Sequence, residues 1–346
     1  MPSAPGRRRA TLQDVAAAAG VSKATVSKAL NGRDDVSTGT RERILDAVSA
    51  LGYRAAPAPG SAAGRRALAV VFDLPASPYI LAVLQGTLAA STDERVDLLA
   101  RLAPDRDTRT QPAVARDWVA DQQAAGVVGV VGLTLSRPGA LIRAAGDAGL
   151  PFVMVDPVGT RDRHLVSIGS GNWDGARAAT EHLLELGHRR IAWVGGPEDS
   201  DAARERLSGY RAALDAAGVP ADPALVRSDQ FAVDTGERHA RDLLAAADPP
   251  TAIMAADDEI AVGVLAAARA LGVAVPERLS VTGFDDTPQA AWTTPPLTTV
   301  HQHLEDMGRM AVRTALAMAD GRPPASARVE LGTSLTVRAS TGAVPA

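Results

Sequence analysis

From Ala67 onward, short β-branched runs alternate with alanine-rich stretches of helical composition, and few folds accommodate that pattern. The clearest runs are ALAVVFDL, VDLLARL, GVVGVVGL, PFVMVD, LVSIG, RRIAWVGG, TAIMAAD and LSVTGFDD. The alternation is the signature of parallel α/β sheets. It extends over roughly 270 residues, more than one ordinary doubly wound sheet occupies, so two similar subdomains are expected. No short-period repeat points to a solenoid.

Residues 10–53 follow another pattern, that of three short helices. Thr11 and Asp14 form a T-x-x-D capping pattern before an apolar stripe of Leu12, Val15, Ala16 and Ala19, and Gly20 ends that helix. Ser22 caps a second helix with Val26 and Leu30 on one face, and Asn31-Gly32 stops it. A third begins near Ser37 or Thr38, buries Ile44, Val48 and Leu51, and closes at Gly52. Residues 55–66, AAPAPGSAAGRR, lack apolar periodicity and form a linker. The organisation expected is therefore a head at 1–54, a linker at 55–66 and a body at 67–346. Within the body, one subdomain is expected at about 67–162 and 293–321, the other at about 163–292 and 322–340.

Charge separates head from body. Residues 1–56 hold nine Lys or Arg against five acids, a net of +4, so the chain's net charge of −4 leaves −8 on the remainder. Both lysines of the chain, Lys23 and Lys28, fall in the head. A basic head on an acidic body is expected to meet a polyanion with the head alone. The chain has no cysteine, which excludes disulfides and thiolate metal or nucleophile chemistry. It has no run of eighteen apolar residues and no apolar segment behind its basic N-terminus, so neither a membrane span nor a secretory signal is expected, and a cytoplasmic location follows.

The first two helices, joined by Ala19-Gly20-Val21, have helix-turn-helix spacing. The N-terminal turn of the second presents backbone N–H groups to a phosphate, while Ser22, Thr25 and Asn31 supply further donors. Lys23, Ala24, Ser27 and Lys28 are placed to reach base edges. A three-helix bundle built for protein contacts is the alternative. In the body, ligands bind at the carboxyl ends of parallel strands, where Asp73, Asp156, Asp257, Asp258, Asp285 and Asp286 stand, although a strand-end aspartate also serves as a loop cap. Enzyme signatures are missing: Gly169-Ser170-Gly171 continues to Gly175 instead of completing G-x-G-x-x-G, the body has no lysine for a P-loop, and H-E-x-x-H does not occur. His301 and His303 alternate along an expected strand but do not make a metal set. His188 is expected in a structural turn, and Trp173, Trp193 and Trp292 in packing. No cofactor is implied.

ATLQDVAAAAGVSKATVSKALNG followed by VSTGTRERILDAVSALGYR resembles the DNA-binding head of the lactose-repressor (LacI/GalR) family of bacterial transcription regulators. EHLLELGHRRIAWVGG, RERLSGYRAALDAAGV, PTAIMAADDEIAVGVLAAARALGVAVPERLSVTGFDD and TPPLTTVHQHLEDMG resemble its regulatory core. The resemblance implies an all-α helix-turn-helix head on a periplasmic-binding-protein-like α/β core of two doubly wound parallel-sheet subdomains. It also implies a homodimer, acting as a repressor, that reads a near-palindromic double-stranded operator under control of a small molecule in the inter-subdomain cleft. By resemblance, the helix from Ser22 to Asn31 enters the major groove with Lys23, Ala24 and Lys28 at base-reading positions. Thr11, Ser22, Thr25 and Asn31 match backbone-contacting or capping positions. Arginine is common where Lys28 stands, and lysine offers a point charge in place of a bidentate fork, which leaves base preference open. Asp156, Arg206, Asp257 and Asp285 fall at effector-contacting positions, Phe231 where an aromatic ring packs on the effector, and Tyr79 with Ile80 at the opposite wall. Carboxylates around one arginine suit the hydroxyls of a sugar.

In the family the linker forms a hinge helix on DNA, with a leucine wedged into the minor groove. Here Pro57, Pro59 and Gly60 interrupt that segment, and Ala62 or Ala63 takes the leucine's approximate place. An interior proline costs about 3 kcal/mol in a helix, so a weaker or differently bent complex is expected, held through phosphates by Arg65, Arg66 and the arm Arg7 to Arg9. The end of the chain, Ala339 to Ala346, carries no leucine heptad, which argues against a coiled-coil tetramer. A periplasmic-type sugar-binding protein and a sugar-metabolising enzyme with a regulatory head are the alternatives. The basic head and missing secretory signal count against the first, the missing catalytic constellation against the second.

Overall fold

In the computed structural model, which describes residues 11–30, 37–51, 66–73, 77–158 and 165–344, the chain divides after Gly64 into two units. The smaller contains α1 (Leu12–Ala19), α2 (Lys23–Leu30) and α3 (Thr38–Leu51). Thr11 and Asp14 close the capping box reciprocally: Thr11 N donates to Asp14 Oδ2 at 2.7 Å, and Asp14 N donates to Thr11 Oγ1 at 3.3 Å. Gly20 ends α1 at φ +66°, a conformation other residues avoid. Val15, Val26 and Ile44 are fully buried where the three helices meet, with Ala16, Ala19, Ala29 and Ala47 filling the seam. Short side chains let such short helices approach closely. The side chains of Leu12, Leu30 and Leu51, expected in this core, lie outside the described residues, as do Asn31, Gly32 and Gly52.

The larger unit contains two six-stranded sheets. The first runs β11 (Arg328–Leu331), β5 (Val166–Ser170), β4 (Phe152–Val155), β3 (Val127–Leu133), β1 (Ala67–Phe72), β2 (Asp97–Leu102). All its pairings are parallel. The second runs β12 (Ser334–Thr336), β10 (Thr298–His301), β9 (Ser280–Asp285), β8 (Ala252–Ala255), β6 (Ile191–Gly195), β7 (Val226–Ser228). It is parallel except for the edge strand β12, which pairs antiparallel with β10. The two sheets thus share a strand order. Each of the eight apolar runs found in the sequence forms a strand. The short β7, β10, β11 and β12 carry weaker patterns.

Both faces of each sheet are covered. In the first lobe α4 (Pro78–Asp93) packs on α12 (Leu304–Ala319) at glycine contacts. A Cβ on Gly86 would overlap the Glu305 carbonyl, and one on Gly308 would overlap that of Val83. In the second lobe α7 (Asn172–Glu185), α8 (Asp201–Ala216), α9 (Val233–Leu244) and α10 (Asp258–Ala270) enclose a core around Trp193, Tyr210 and Phe284.

The chain crosses between lobes after β5, after β10 and after β11. These crossings correct the subdomain bounds expected from sequence at about 162, 292 and 321. β5 and β11 belong to the first sheet, not the second, and β10 to the second, not the first. Apolar runs identify strands, but the partner that completes a strand's hydrogen bonds decides its sheet. Arg66, expected at phosphates, pairs its guanidinium with Asp320 at 2.8 Å at the end of α12. Arg7 to Arg9, Pro57, Pro59, Gly60, Ala62, Ala63 and Arg65 lie outside the described residues, as does the linker's expected conformation. Among the described residues no helix is long and apolar enough to cross a membrane.

Candidate functional site

The head presents α2 as a short helix with no acidic residue in its first turn, so its N-terminal N–H groups keep their positive field. Ser22 Oγ accepts from Thr25 N at 3.1 Å and lies 2.8 Å from Thr25 Oγ1, so both hydroxyls fasten the start of the helix. Lys23 and Lys28 are exposed. The Ala24 and Ser27 side chains and all of Asn31 lie outside the described residues.

In the body, a cavity of about 380 Å³ opens between the carboxyl ends of the two sheets. Tyr79 and Ile80, in the first turn of α4 behind the Ser77 cap, form one wall. Asp156 follows β4 at φ +42°, and Asp285 ends β9 at φ +110°. Aspartate tolerates the left-handed region better than most residues, and strain of about 1–3 kcal/mol per residue is held where a site requires it. The Tyr79 hydroxyl donates to Asp156 Oδ2 at 2.6 Å. Phe231 faces the cavity against Gly196, where any Cβ would collide with its ring.

Arg206, on α8, is 3% exposed. Its Nε donates to Asn172 Oδ1 at 2.8 Å and its Nη1 to the Ala256 carbonyl at 2.6 Å. Nη1 also lies 3.4 Å from Asp285 Oδ1, and the guanidinium stacks 3.8 Å from the Phe284 ring centroid. Gln302 Nε2 donates to the same Asp285 oxygen at 2.5 Å. Asp257 caps α10, its Oδ1 accepting from Ile260 N at 2.7 Å. Burial pushes the Asp257 carboxyl up to about 7, against the pull of that hydrogen bond. Burial also raises Asp156, and holds Asp285 well above the usual carboxylate range despite Arg206. The Tyr79 phenol is raised by burial and then by the Asp156 carboxylate. Aromatic walls around buried carboxylates and one arginine suit a ring with apolar faces and hydroxyl edges.

Three of the six strand-end aspartates singled out in the sequence, Asp156, Asp257 and Asp285, line the cavity with Arg206, Phe231, Tyr79 and Ile80. The other three serve the scaffold. Asp73 binds Arg109 at 2.7 Å and Ser136 Oγ at 3.0 Å. Asp258 accepts from Thr287 N, Thr287 Oγ1 and Thr299 Oγ1, joining α10 to two neighbouring segments. Asp286 holds Arg338 and His301. His303 leaves the expected strand: it caps α12, and its ring meets His301 edge-on at 5.0 Å. No cluster of metal-ligating residues occurs among the described residues. His188 is buried, its ring bonded to Thr251, Ser280 and the Gly342 carbonyl. Sequence reasoning missed Thr134, Ser200, Gln230 and Glu259 in the lining. Their signal was position, each lying shortly after a strand end, but polar residues are common there.

The model for bacterial regulatory proteins of the lacI family matches residues 11–55, and that for the periplasmic binding protein-like domain matches 180–341. The chain is 36% identical over 342 residues to the HTH-type transcriptional regulator CelR of Thermobifida fusca, covering 96% of this chain and 99% of that one. Among solved structures, a CelR–cellobiose complex superposes with a TM-score of 0.72 at 34% identity, covering 96% of this chain and 100% of the other. A lac repressor dimer bound to operator and the anti-inducer ONPF gives 0.71 at 26% identity, covering 97% and 100%.

Proposed function

The chain belongs to the LacI family of bacterial regulatory proteins and is a DNA-binding transcriptional regulator, and from that premise we propose that it represses transcription from a near-palindromic operator as a homodimer controlled by a sugar in the cleft. The observation that carries the reading is the joining, in one chain, of a helix-turn-helix head to a two-lobed body whose cleft gathers three aspartates, two of them buried, one arginine and two aromatic rings. Related proteins support each half, since the solved relatives include one bound to cellobiose and one bound to operator as a dimer. The cleft binds without turning over its ligand, and the protein acts in the cytoplasm. Dimerisation is supported by Leu81 and Leu88 on α4 and Leu102 on the edge strand β2, all half-exposed large apolar side chains.

On the DNA side, Lys23, Ala24, Ser27 and Lys28 face base edges, while Thr11, Ser22, Thr25 and Asn31 hold the backbone or the helix ends. On the sugar side, Tyr79, Asp156, Arg206, Phe231, Asp257 and Asp285 make the contacts. A ligand alters DNA affinity only by its differential affinity for the two arrangements of the body. The cleft is built for that coupling. Arg206 donates to Asn172 at the first crossing, and Asp285 accepts from Gln302 at the second, so both side chains are tied to the segments that join the lobes.

The test uses purified full-length protein. Genomic fragments are selected on it at physiological ionic strength, and the enriched fragment is then titrated with and without saccharides. One fragment should be preferred over random duplex, and at least one sugar should change its affinity. Equal binding to all fragments would refute the DNA reading, and indifference to every sugar the effector reading.

A further inference from the structure

We propose that the cleft selects its sugar by charge, taking uncharged or amine-bearing saccharides and excluding sugar acids and sugar phosphates, with Asp257 and Glu259 as the residues that set this preference. The inference rests on the sugar-responsive reading above and narrows its ligand class.

Among the described residues, four carboxylates line the cavity, Asp156, Asp257, Glu259 and Asp285, against one basic side chain, Arg206. Lysine is confined to the head. Even with Asp285 protonated, the carboxylates among these lining residues outnumber the guanidinium. Arg206 is poorly placed to offer an anion a bidentate fork, because either edge of its guanidinium includes a nitrogen already engaged. Nε is engaged by Asn172, Nη1 by the Ala256 carbonyl with Asp285 beside it, and Phe284 covers one face of the plane.

The start of α10 would otherwise attract an anion through its free N–H groups. Here the chain supplies its own: Asp257 caps Ile260, and Asp258 and Glu259 occupy the first turn. Asp257 is 5% exposed, and among the described residues its Oδ2 has no hydrogen-bond donor. Glu259, half-buried in the lining, has neither a hydrogen bond nor an ion pair among the described residues. Both are acceptors waiting for hydroxyl or ammonium donors. Asp156 and Asp285, like Asp257, each accept one hydrogen bond, from Tyr79 and Gln302, so Glu259 alone of the four has no partner among the described residues. The carboxylate oxygens of the cleft left open to a ligand therefore include Asp257 Oδ2 and both oxygens of Glu259.

Matched sugars test this on the full-length protein by thermal shift and calorimetric titration. Neutral mono- and disaccharides, including glucose, maltose and cellobiose, are each paired with the aldonate, the phosphate and the 2-amino derivative of the same skeleton. At least one neutral or amino sugar should bind, and its acid or phosphate should bind at least tenfold more weakly. Glu259→Lys should reduce that discrimination at least tenfold, and Glu259→Gln should fall between. If the lysine variant does not fold, the glutamine variant and the wild-type pairs decide. An acid or phosphate binding wild type as tightly as its neutral partner overturns the proposal, as does unchanged discrimination in folded Glu259 variants. If no sugar of any charge binds, the sugar-responsive reading itself falls.

Discussion

Replacing Asp257 by asparagine removes one buried charge from the floor of the cleft and keeps its shape. The amide oxygen retains the 2.7 Å bond from Ile260 N, so the cap on α10 survives. In wild type the carboxyl rises from 3.8 in the unfolded chain to about 7 in the fold. A carboxyl raised on folding stabilises the native state at low pH, and that advantage disappears as pH climbs from 3.8 through about 7. At roughly 1.36 kcal/mol per unit, a wild-type chain above about pH 7 carries a penalty of about 4 kcal/mol that asparagine does not. At about pH 5 the difference shrinks to about 2 kcal/mol. All four tryptophans lie in the body, so urea unfolding followed by tryptophan fluorescence reports on that unit without the head. The variant's midpoint should rise with unchanged slope, and rise more at about pH 7.5 than at about pH 5. An equal gain at both, or none at the higher, would show that Asp257 titrates normally and that the cleft does not confine its charge. Sugar affinity should fall by about 1–2 kcal/mol, because a neutral amide replaces a charge-assisted acceptor.

Arg206→Ala should abolish the sugar response while sparing DNA binding, as measured by mobility shift with and without the responsive sugar, and a surviving response would misplace the site. Lys28→Ala should weaken operator binding by about 1–3 kcal/mol and change the preferred base at one half-site position. An equal loss on every sequence would reduce Lys28 to a phosphate contact. Gly86→Ala should force α4 away from the Glu305 carbonyl and destabilise the body by about 1–3 kcal/mol or more, so an unchanged urea midpoint would contradict the helix packing.

The sequence determined local matters. The capping pattern at Thr11 and Asp14, the stop at Gly20 and the eight apolar runs each form within a few residues, and the structure places helices and strands there. Charge separation between head and body is a property of composition and needed no coordinates. The family resemblance extended the reading to Arg206, Phe231 and three aspartates, which composition could not distinguish from Asp73, Asp258 and Asp286. Tertiary structure decided what depends on partners distant in the chain. Asp258 turns inward because Thr287 and Thr299 are brought to it, whereas Asp257, one residue earlier, faces the cavity. Likewise β5, β10 and β11 belong to sheets that their apolar patterns do not reveal, because the hydrogen-bonding partners that fix a strand's place lie far away in the chain. Glu259 was silent for the same reason: an acid in the first turn of a helix is ordinary, and only the opposing lobe makes it part of a cleft.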